Sequence, residues 1–337
     1  MIKEPIVDLL EGAITAREAL FDAQHQTAFR LFNGFTEGWP SLVIDIYAGT
    51  IVLHNYADPP EDGASAVYVA QNFLQDCFPW VHTMVLKTRH GLTVPEKHGT
   101  VVYGSTTDRL VLEHKVKYAI DLQMNQDTSL YLDTRNLRRW ALRHLKDKSV
   151  LNAFAYTGSF GVAAMAGSAT QVVHIDRNHR FLNIAKISYS LNNLPINKSD
   201  FRSGDFWLNI SRLKRAGDRF DCVFIDPPFF AATKKGTVNL MDNNVRLINK
   251  VRPLINDGGY LVAINNALFL SGKAYMETLE SLCADGYLQI EELIPVPSDF
   301  TGYPQTQVSQ LPVDPAPFNH ATKIAIMKVR RKAEFGS

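Results

Sequence analysis

The sequence predicts an α/β protein, with a main domain built on a mostly parallel β-sheet and a small α+β domain in front of it. From residue 149 onward, short apolar runs alternate with amphipathic helical segments. Continuous apolar strands separated by such helices are typical of a parallel sheet covered on both faces. Residues 29–124 instead contain short β-rich runs and turn signals such as Asn33-Gly34, which favour a separate α+β domain.

In the first part of the chain, the sequence pattern predicts a helical segment followed by the α+β domain. Residues 1–28 form an amphipathic pattern in which Leu10, Ile14 and Leu20 recur at near-helical spacing. A helix is predicted over residues 64–76. Strands are predicted over residues 29–32, 42–47, 50–56, 83–88 and 115–122. We assign residues 29–124 to the α+β domain.

The sequence of residues 125–333 predicts a second domain in which strands and helices alternate regularly. Predicted strands cover residues 150–155, 171–175, 220–225, 259–265, 288–294 and 322–329. Predicted helices cover residues 134–145, 159–166, 180–193, 240–255 and 273–285. A loop as long as residues 295–320 is usually functional or disordered in a compact domain. Residues 334–337 look like a vector scar.

Charge and cysteine usage exclude several classes of protein. Lys plus Arg number 35 and Asp plus Glu 34, so the net charge of +1 provides no overall field that would attract a polyanion. Any nucleic-acid partner must therefore be held by local patches. The three cysteines form no CxxC pair, which argues against a disulfide framework or a metal site and fits a cytoplasmic protein. We expect no signal peptide and no membrane span.

The turn after the first strand of the second domain is a candidate ligand site. A strand that delivers Gly158 at a sharp turn, followed by a helix of small residues, lets a ligand lie against backbone N–H groups. Asp176 ends the next strand, about 20 residues further on, where an acidic group can accept both hydroxyls of a ribose. Asp205 is placed to accept from an adenine amino group, or to cap the following helix.

A second candidate site follows the strand at residues 220–225, where the chain reads Asp226-Pro227-Pro228-Phe229. Consecutive prolines cannot continue a ladder, so the chain leaves the sheet with Asp226 at its carboxyl edge. Asp226 can accept a hydrogen bond from a base amino or ring N–H group, and Phe229 can stack on a planar ring. Taken alone, such a motif is usually a turn.

Together these motifs resemble those of class I S-adenosylmethionine-dependent methyltransferases. The segments QDTSLYLDTR (126–135), VLNAFAYTG (150–158) and FDCVFIDPPF (220–229) are similar to bacterial large-subunit ribosomal RNA methyltransferases that make 5-methylcytosine or 7-methylguanine. Residues 29–47 resemble the middle α+β domain of the 5-methylcytosine enzymes. The resemblance spans residues 28–330 and implies a Rossmann-like domain with a seven-stranded, mostly parallel sheet.

The resemblance also implies S-adenosylmethionine as cofactor, RNA as partner and a substrate-presenting role for the α+β domain. It implies that the cofactor-binding residues are Tyr131, Asp133, Asn152, Phe154, Tyr156, Thr157, Gly158, Asp176, Arg177, Asp205 and Asp226. Asp226, Pro227, Phe229 and Asn265 are the candidate catalytic residues.

Two departures from the 5-methylcytosine enzymes change the expected chemistry. Residues 1–28 are too few for the PUA RNA-binding domain of those enzymes. The segment after the fifth strand, residues 263–267, reads Ala-Ile-Asn-Asn-Ala and lacks the cysteine that must add to C6 of a pyrimidine before C5 can react. Cys222 and Cys283 fit buried small hydrophobes better. The Asn pair resembles the 7-methylguanine branch, so we predict direct methyl transfer to a base nitrogen, with ribosomal RNA as the preferred substrate.

Two other functions remain open, as do several residues. A small-molecule N- or O-methyltransferase could use the same scaffold, and a noncatalytic RNA-binding protein could retain the cofactor pocket. His174 is expected to be a core histidine, His320 could reach the site from the long loop, and a homo-oligomer is possible. A basic run is either a solvated helix face or a phosphate-contacting face; it comprises Arg135, Arg138, Arg139, Arg143, Lys146 and Lys148, with Lys234 and Lys235 further along.

Overall fold

The computed structural model describes residues 4–228 and 240–331, which divide into two compact units. Unit 1 extends to Asp133 and includes Pro297–Leu311. Unit 2 extends from Thr134 to Val296 and resumes at Pro312. The second domain was predicted to begin at residue 125 and to contain the whole long loop, whereas residues 125–133 and 297–311 belong to unit 1.

Unit 1 contains a five-stranded sheet and a separate hairpin. Its elements are α1 (Pro5–Ala16), β1 (Ala28–Asn33), α2 (Gly34–Glu37), β2 (Leu42–Tyr47), β3 (Thr50–Asn55), α3 (Ala64–Cys77), β4 (Thr83–Thr88), α4 (Val94–His98), β5 (Thr100–Tyr103), β6 (Leu110–Glu113) and β7 (Val116–Ala119). The five-stranded sheet has the order β1-β2-β3-β4-β5, and only β3 and β4 pair in parallel. Leu10 of α1, Ile44 of β2 and Leu74 of α3 belong to one core, so both helices cover the same face of the sheet.

The hairpin β6-β7 corrects the single strand predicted over residues 115–122. The two strands pair antiparallel, and His114 and Lys115 between them both have a positive φ, of 51° and 68°. Two-residue hairpin turns often require this conformation, which Asn and Gly adopt most easily. His and Lys carry no such turn signal, so the sequence pattern concealed the turn.

The segment Pro297–Leu311 is anchored in unit 1 by buried polar groups. Arg17 and Glu37 form an ion pair of 2.9 Å with both side chains almost fully buried, and Arg17 also donates to the backbone carbonyl of Asp299. The Asp299 carboxylate accepts from the backbone N–H of Arg30 at 3.0 Å. A buried ion pair is stable only when further hydrogen bonds satisfy it. The returning segment therefore completes the core of unit 1.

Unit 2 contains the seven-stranded sheet. Its elements are α5 (Arg135–His144), β8 (Ser149–Ala153), α6 (Ser159–Ala166), β9 (Gln171–Asp176), α7 (His179–Leu191), β10 (Phe201–Ser203), α8 (Phe206–Ala216), β11 (Phe220–Ile225), α9 (Leu240–Val251), β12 (Ile255–Asn265), α10 (Gly272–Cys283), β13 (Leu288–Leu293) and β14 (Lys323–Val329). Helix α9 is shorter than predicted because Pro253, which has no backbone N–H, lies in a 3-10 turn at Arg252–Leu254.

The sheet of unit 2 has the order β10-β9-β8-β11-β12-β14-β13. The first five strands in this order are parallel, and β14 runs antiparallel to both of its neighbours. This confirms the seven-stranded, mostly parallel sheet that the family resemblance implied. Within the described ranges no helix is long and apolar enough to cross a membrane.

Both faces of this sheet are buried, which explains its continuous apolar strands. In β11, Val223 and Ile225 belong to one hydrophobic core, whereas Cys222 and Phe224 belong to the other. The chain moves outward from β8 through β9 to β10 and then returns to the other side of β8 as β11. Ligands of open α/β sheets bind at the carboxyl ends of strands at such a reversal. The fold thus directs attention to the ends of β8 and β11.

Candidate active site

The turn after β8 has an unusual backbone. Phe154, Tyr156 and Gly158 all have a positive φ, of 57°, 50° and 77°. This region is rare for aromatic residues and costs on the order of 1–3 kcal/mol each, so it persists where surrounding contacts enforce it. Phe154 stacks on Phe206 with ring centroids 4.5 Å apart, and Tyr156 contacts the ring edge of Phe181. The turn is therefore held in one conformation.

Asp176, at the end of β9, joins three of the strand ends. Its carboxylate accepts from the backbone N–H groups of Tyr156 and Asn178, both at 2.8 Å, and its own carbonyl accepts from Gly204 N at 2.9 Å. Burial raises the pKa of Asp176, while the backbone donors act in the opposite direction. Because each carboxylate oxygen has a second lone pair, the group can still accept from a ligand. Asp176 thus brings the turns after β8, β9 and β10 together.

Asp205 follows the end of β10 and begins α8. Its carboxylate accepts from Leu208 N at 2.9 Å and so caps the helix, which is one of the two roles predicted for it. The side chain is exposed, and its second oxygen remains able to accept a further bond. Phe206, directly after it, carries the stacking contact with Phe154. The segments that follow β8 and β10 therefore contact each other beyond the end of β9, which lies between these strands.

A neutral histidine lies beneath the β8 turn. His174 is fully buried; its Nδ1 accepts from the Asn152 amide at 3.3 Å, so its Nε2–H donates to the Tyr189 hydroxyl at 2.9 Å. Burial lowers the pKa of His174 to about 3. A Cβ atom on Gly158 would lie 2.6 Å from Ala185 Cβ, and one on Gly161 would overlap His174 Cε1. The prediction of a core histidine is confirmed.

The end of β11 places Asp226 next to the β8 turn in the strand order. Ile225, the last residue of β11, pairs with Ala153 of β8 and with Ala263 of β12. Asp226 is half-buried, and its charge adds to burial in raising the pKa of Tyr275 on α10. Pro227 is half-buried as well. Phe229 lies outside the described residues.

The end of β12 carries Asn265, whose side chain is engaged in the local turn. Asn265 is 4% exposed, and its amide oxygen accepts from Ala267 N at 2.9 Å. Lys323 is the register partner of Asn265 on β14, and its buried ammonium donates to the carbonyls of Ala267 at 3.0 Å and Ala321 at 2.6 Å. Burial lowers the pKa of Lys323 to about 8. Lys323 carries no signal in the sequence, because a lysine at the first position of a strand looks like an ordinary polar boundary.

The remaining predicted cofactor residues are placed as follows. Tyr131 is 41% exposed and its hydroxyl donates to the Asp127 carboxylate; with Asp133 it belongs to unit 1, so its role toward unit 2 stays a prediction. Thr157 is buried within the β8 turn, whereas Arg177 is exposed just after β9. Both therefore border the Asp176 network.

The predicted basic run separates into buried and exposed cations. Arg138 is 1% exposed and donates to the Thr134 hydroxyl at 2.8 Å, so it is a structural residue. The exposed members of the run are Arg139, Arg143, Lys146 and Lys148. Lys234 and Lys235 lie outside the described residues. His320 Nδ1 accepts from Thr322 N at 3.1 Å, in the turn that precedes β14.

The residues at the β8 turn fit an adenosyl group. Asn152 Oδ1 is buried and has no hydrogen-bond partner among the described residues, which leaves an acceptor free on β8. The Asp176 carboxylate can accept ribose hydroxyls, and the glycine turn permits close approach to the backbone. Among the side chains that the structure describes, no group of three or more His, Cys, Asp or Glu residues is suited to hold a metal ion.

Comparison with known proteins assigns the family. A family model described as S-adenosylmethionine-dependent methyltransferase matches residues 29–301. Ribosomal RNA large subunit methyltransferase I of Aeromonas hydrophila is 31% identical over 323 residues, covering 90% of this chain and 80% of that protein. The protein of the same name from Erwinia tasmaniensis is 27% identical over 289 residues, covering 84% and 72%.

A solved structure supports the same fold. The crystal structure of SMU.776, described as a methyltransferase complexed with SAH, resembles this chain with a TM-score of 0.83 at 22% identity. The match covers 96% of this chain and 81% of that one. Together with the family model, it confirms the cofactor class that the sequence motifs implied. The chain therefore belongs to the S-adenosylmethionine-dependent methyltransferase family and is a methyltransferase.

Proposed function

We propose that this enzyme transfers the methyl group of S-adenosylmethionine to a base nitrogen of RNA, with ribosomal RNA as the substrate class and without a cysteine nucleophile. Two relatives that align with most of the chain are named as methyltransferases of large-subunit ribosomal RNA. The three cysteines are all free thiols, which supports a reducing, cytoplasmic location.

The cysteines of this chain are poor nucleophiles, which supports a mechanism without a cysteine. Carbon C5 of a pyrimidine becomes nucleophilic only after a thiolate has added to C6. Cys222 is fully buried within β11, and burial raises its pKa well above the usual value. Burial also raises the pKa of Cys283 on α10 and of Cys77 on α3. The turn after β12 holds Asn265 and Asn266 instead, so a ring nitrogen with its own lone pair fits this site better.

The cofactor would lie at the turns after β8, β9 and β10. When bound, S-adenosylmethionine supplies a sulfonium methyl group whose leaving group is a neutral thioether. Asp176 would accept the ribose hydroxyls, and Asp205 would accept from the adenine amino group. The β8 turn, including Phe154 and Thr157, would exclude water beside the glycine. Its restrained backbone supports this role, because a site that needs no rearrangement loses less free energy on binding.

The substrate base would lie at the ends of β11 and β12. Asp226 would accept from an amino or ring N–H group of the base and so aim the reacting nitrogen at the methyl group. Pro227 would direct the chain away from the sheet, and Phe229 would stack on the ring. Positioning can provide most of the rate enhancement, since effective molarities reach about 10⁵ M or more for well-held reactants.

A small-molecule substrate is the second candidate, and the net charge of +1 favours it. Proteins that bind RNA usually carry a clear basic excess. The exposed cations at the end of α5 supply only a local patch. An RNA-binding enzyme should lose affinity steeply as the salt concentration rises, whereas small-molecule turnover should depend weakly on salt.

The deciding experiment follows tritiated methyl groups from S-adenosylmethionine into total RNA and, in parallel, into a metabolite extract. We expect label in RNA, in a nucleoside that mass spectrometry identifies as methylated at a ring or exocyclic nitrogen. Asp226→Ala should abolish this label. Asp221→Ala is the matched control, because Asp221 lies at the opposite end of β11 and bonds Ser149 and Asn256. Label confined to the metabolite extract would refute the proposal.

A further inference from the structure

The turn after β12 is held by hydrogen bonds to both the backbone N–H and the backbone carbonyl of Ala267. Ala267 donates its backbone N–H to Asn265 Oδ1, and its carbonyl accepts from both Lys323 Nζ and Leu270 N. The Leu270 bond closes a four-residue turn with Leu268 and Phe269 at its tip. The two side chains that fix this turn come from two paired strands, β12 and β14. The tip is therefore attached to the sheet rather than free to move with the loop.

Holding the turn with a buried amine carries a large unfavourable free energy of desolvation. Lys323 is fully buried, and its hydrogen bonds within the described chain go to backbone carbonyls, without a carboxylate that would neutralise it. An ammonium group buried without a counter-ion costs several kcal/mol relative to water. A methionine of similar length would avoid this cost in the core. Because its pKa of about 8 leaves the amine protonated at neutral pH, the charge remains in place.

The held turn presents an aromatic ring at the catalytic edge of the sheet. Phe269 is 79% exposed and Leu268 is 45% exposed, while Ala267 directly before them is buried. Asp226 follows Ile225, which pairs with Ala263 only two residues before Asn265. Neighbouring strands lie about 4.8 Å apart, so the turn borders the Asp226 side of the edge. A rigidly placed, solvent-exposed aromatic ring beside a polar turn is the arrangement that stacks on a nucleobase.

We propose that Phe269 stacks on a base of the RNA substrate and that Lys323 is the positioning residue that holds Phe269 in place through the carbonyl of Ala267. This inference rests on the proposed function, because it requires an RNA substrate. Lys323 touches neither substrate nor cofactor and acts only through the turn. Phe269 adds a base contact to those expected from Asp226 and from the proline motif.

The test measures methyl transfer to RNA with five single variants and with the double variant that combines Phe269→Ala and Lys323→Met. Phe269→Ala removes the ring, Phe269→Trp keeps a stacking surface, and Leu268→Ala is the matched control on the same tip. Lys323→Met removes the charge at similar length. Met327→Ala, also buried on β14, serves as a control for lost stability alone.

We expect Phe269→Ala and Lys323→Met each to lower kcat/KM on RNA about tenfold, the effect of one lost stacking contact. Phe269→Trp should restore most of the rate, and Leu268→Ala should change it less than twofold. The dissociation constant of S-adenosylmethionine, measured by calorimetry, should stay within twofold of wild type in all of these variants. The double variant should be no worse than the weaker single variant, because both changes remove the same contact.

Three results would overturn the inference. The first is wild-type kcat/KM in Phe269→Ala, which folds irrespective of Lys323 because its side chain is exposed. The second is a double variant whose losses multiply. The third is a Lys323→Met protein that loses activity only in proportion to its melting temperature, as Met327→Ala should. If wild-type enzyme labels no RNA at all, the proposed function fails as well, so the two failures are distinguishable.

Discussion

The two turns that border the catalytic edge, after β8 and after β12, are held by different forces. At the β8 turn, packing adds to the hydrogen bond between Tyr156 N–H and Asp176, because glycines 158 and 161 lie against the buried ring of His174. The β12 turn is shaped by hydrogen bonds, with Asn265 and Lys323 fixing the two ends of Ala267. Packing restricts the backbone through the volume of neighbouring side chains, whereas hydrogen bonds restrict it through the charge and direction of donors and acceptors. The proposed cofactor end should therefore be more sensitive to side-chain size than the proposed substrate end, where polar substitutions should dominate.

The largest expected effect concerns acid stability at the β8 turn. The pKa of His174 is about 3 in the folded protein and 6.5 in its unperturbed state. Below pH 6.5 the unfolded chain therefore takes up a proton that the folded chain refuses, and stability falls until about pH 3. Each pH unit in this window costs about 1.4 kcal/mol. Urea unfolding from pH 7 to pH 4 should show a steeper loss for wild type than for His174→Gln, and parallel curves would contradict the assignment.

The second effect tests the packing itself. Gly161→Ala would place a Cβ atom 2.7 Å from Val172 Cγ1 and against the His174 ring, so we expect a loss of about 1–3 kcal/mol in the free energy of unfolding. In a His174→Ala background the same change should cost less. Gly12→Ala in α1, where the nearest atom is 3.8 Å away, is the matched control and should be neutral or stabilising. Equal costs in both backgrounds would show that His174 does not set the turn.

The third effect concerns cofactor affinity. Asp176→Asn loses the charge that we expect the ribose hydroxyls to use, so the dissociation constant of S-adenosylmethionine should rise about tenfold, equivalent to about 1.4 kcal/mol. Asp205→Asn keeps a residue that caps helices well and should raise the constant only a few-fold. Isothermal calorimetry compares the two. Unchanged affinity in Asp176→Asn would move the cofactor away from this edge.

The smallest effect belongs to the β12 turn. Asn265→Ala removes the acceptor of the Ala267 N–H, and we expect a loss of about 1 kcal/mol in the free energy of unfolding. Asn265→Ser should recover part of it, since a hydroxyl can accept the same bond. Chemical denaturation measures both variants. If Asn265→Ala cost nothing, the bond between Asn265 and Ala267 N–H would not stabilise the turn.

The comparison also explains which features could be predicted from the sequence. The strands at residues 42–47, 83–88 and 220–225 and the helix at 159–166 were predicted with the bounds that the structure shows. Asp176 was predicted at the end of a strand and is the last residue of β9, and Asp205 caps the following helix, one of the two roles predicted for it. These features depend on periodicity and on residues close together in the chain, which a linear sequence contains. The roles of Tyr131 and Phe229 toward cofactor and substrate stay predictions.

Three features required the tertiary structure. The hydrogen bond that holds the β12 turn joins Lys323 to Ala267, which lies 56 positions earlier in the chain. The anchoring of residues 297–311 to Arg17 and Glu37 crosses an even longer separation. The use of Asp176 as the junction of three strand ends follows from the strand order alone.

The amino-acid sequence by itself determined the α/β class, the family motifs and the edge at which ligands should bind, because local patterns of hydrophobicity and turn residues encode them. Only the tertiary structure decided which buried polar groups meet. Such a group must find its partner wherever the topology brings one within hydrogen-bond distance, since leaving it unpaired would cost several kcal/mol. Neither residue of a pair such as Lys323 and Ala267 carries a mark of that partner in its own neighbourhood of the chain.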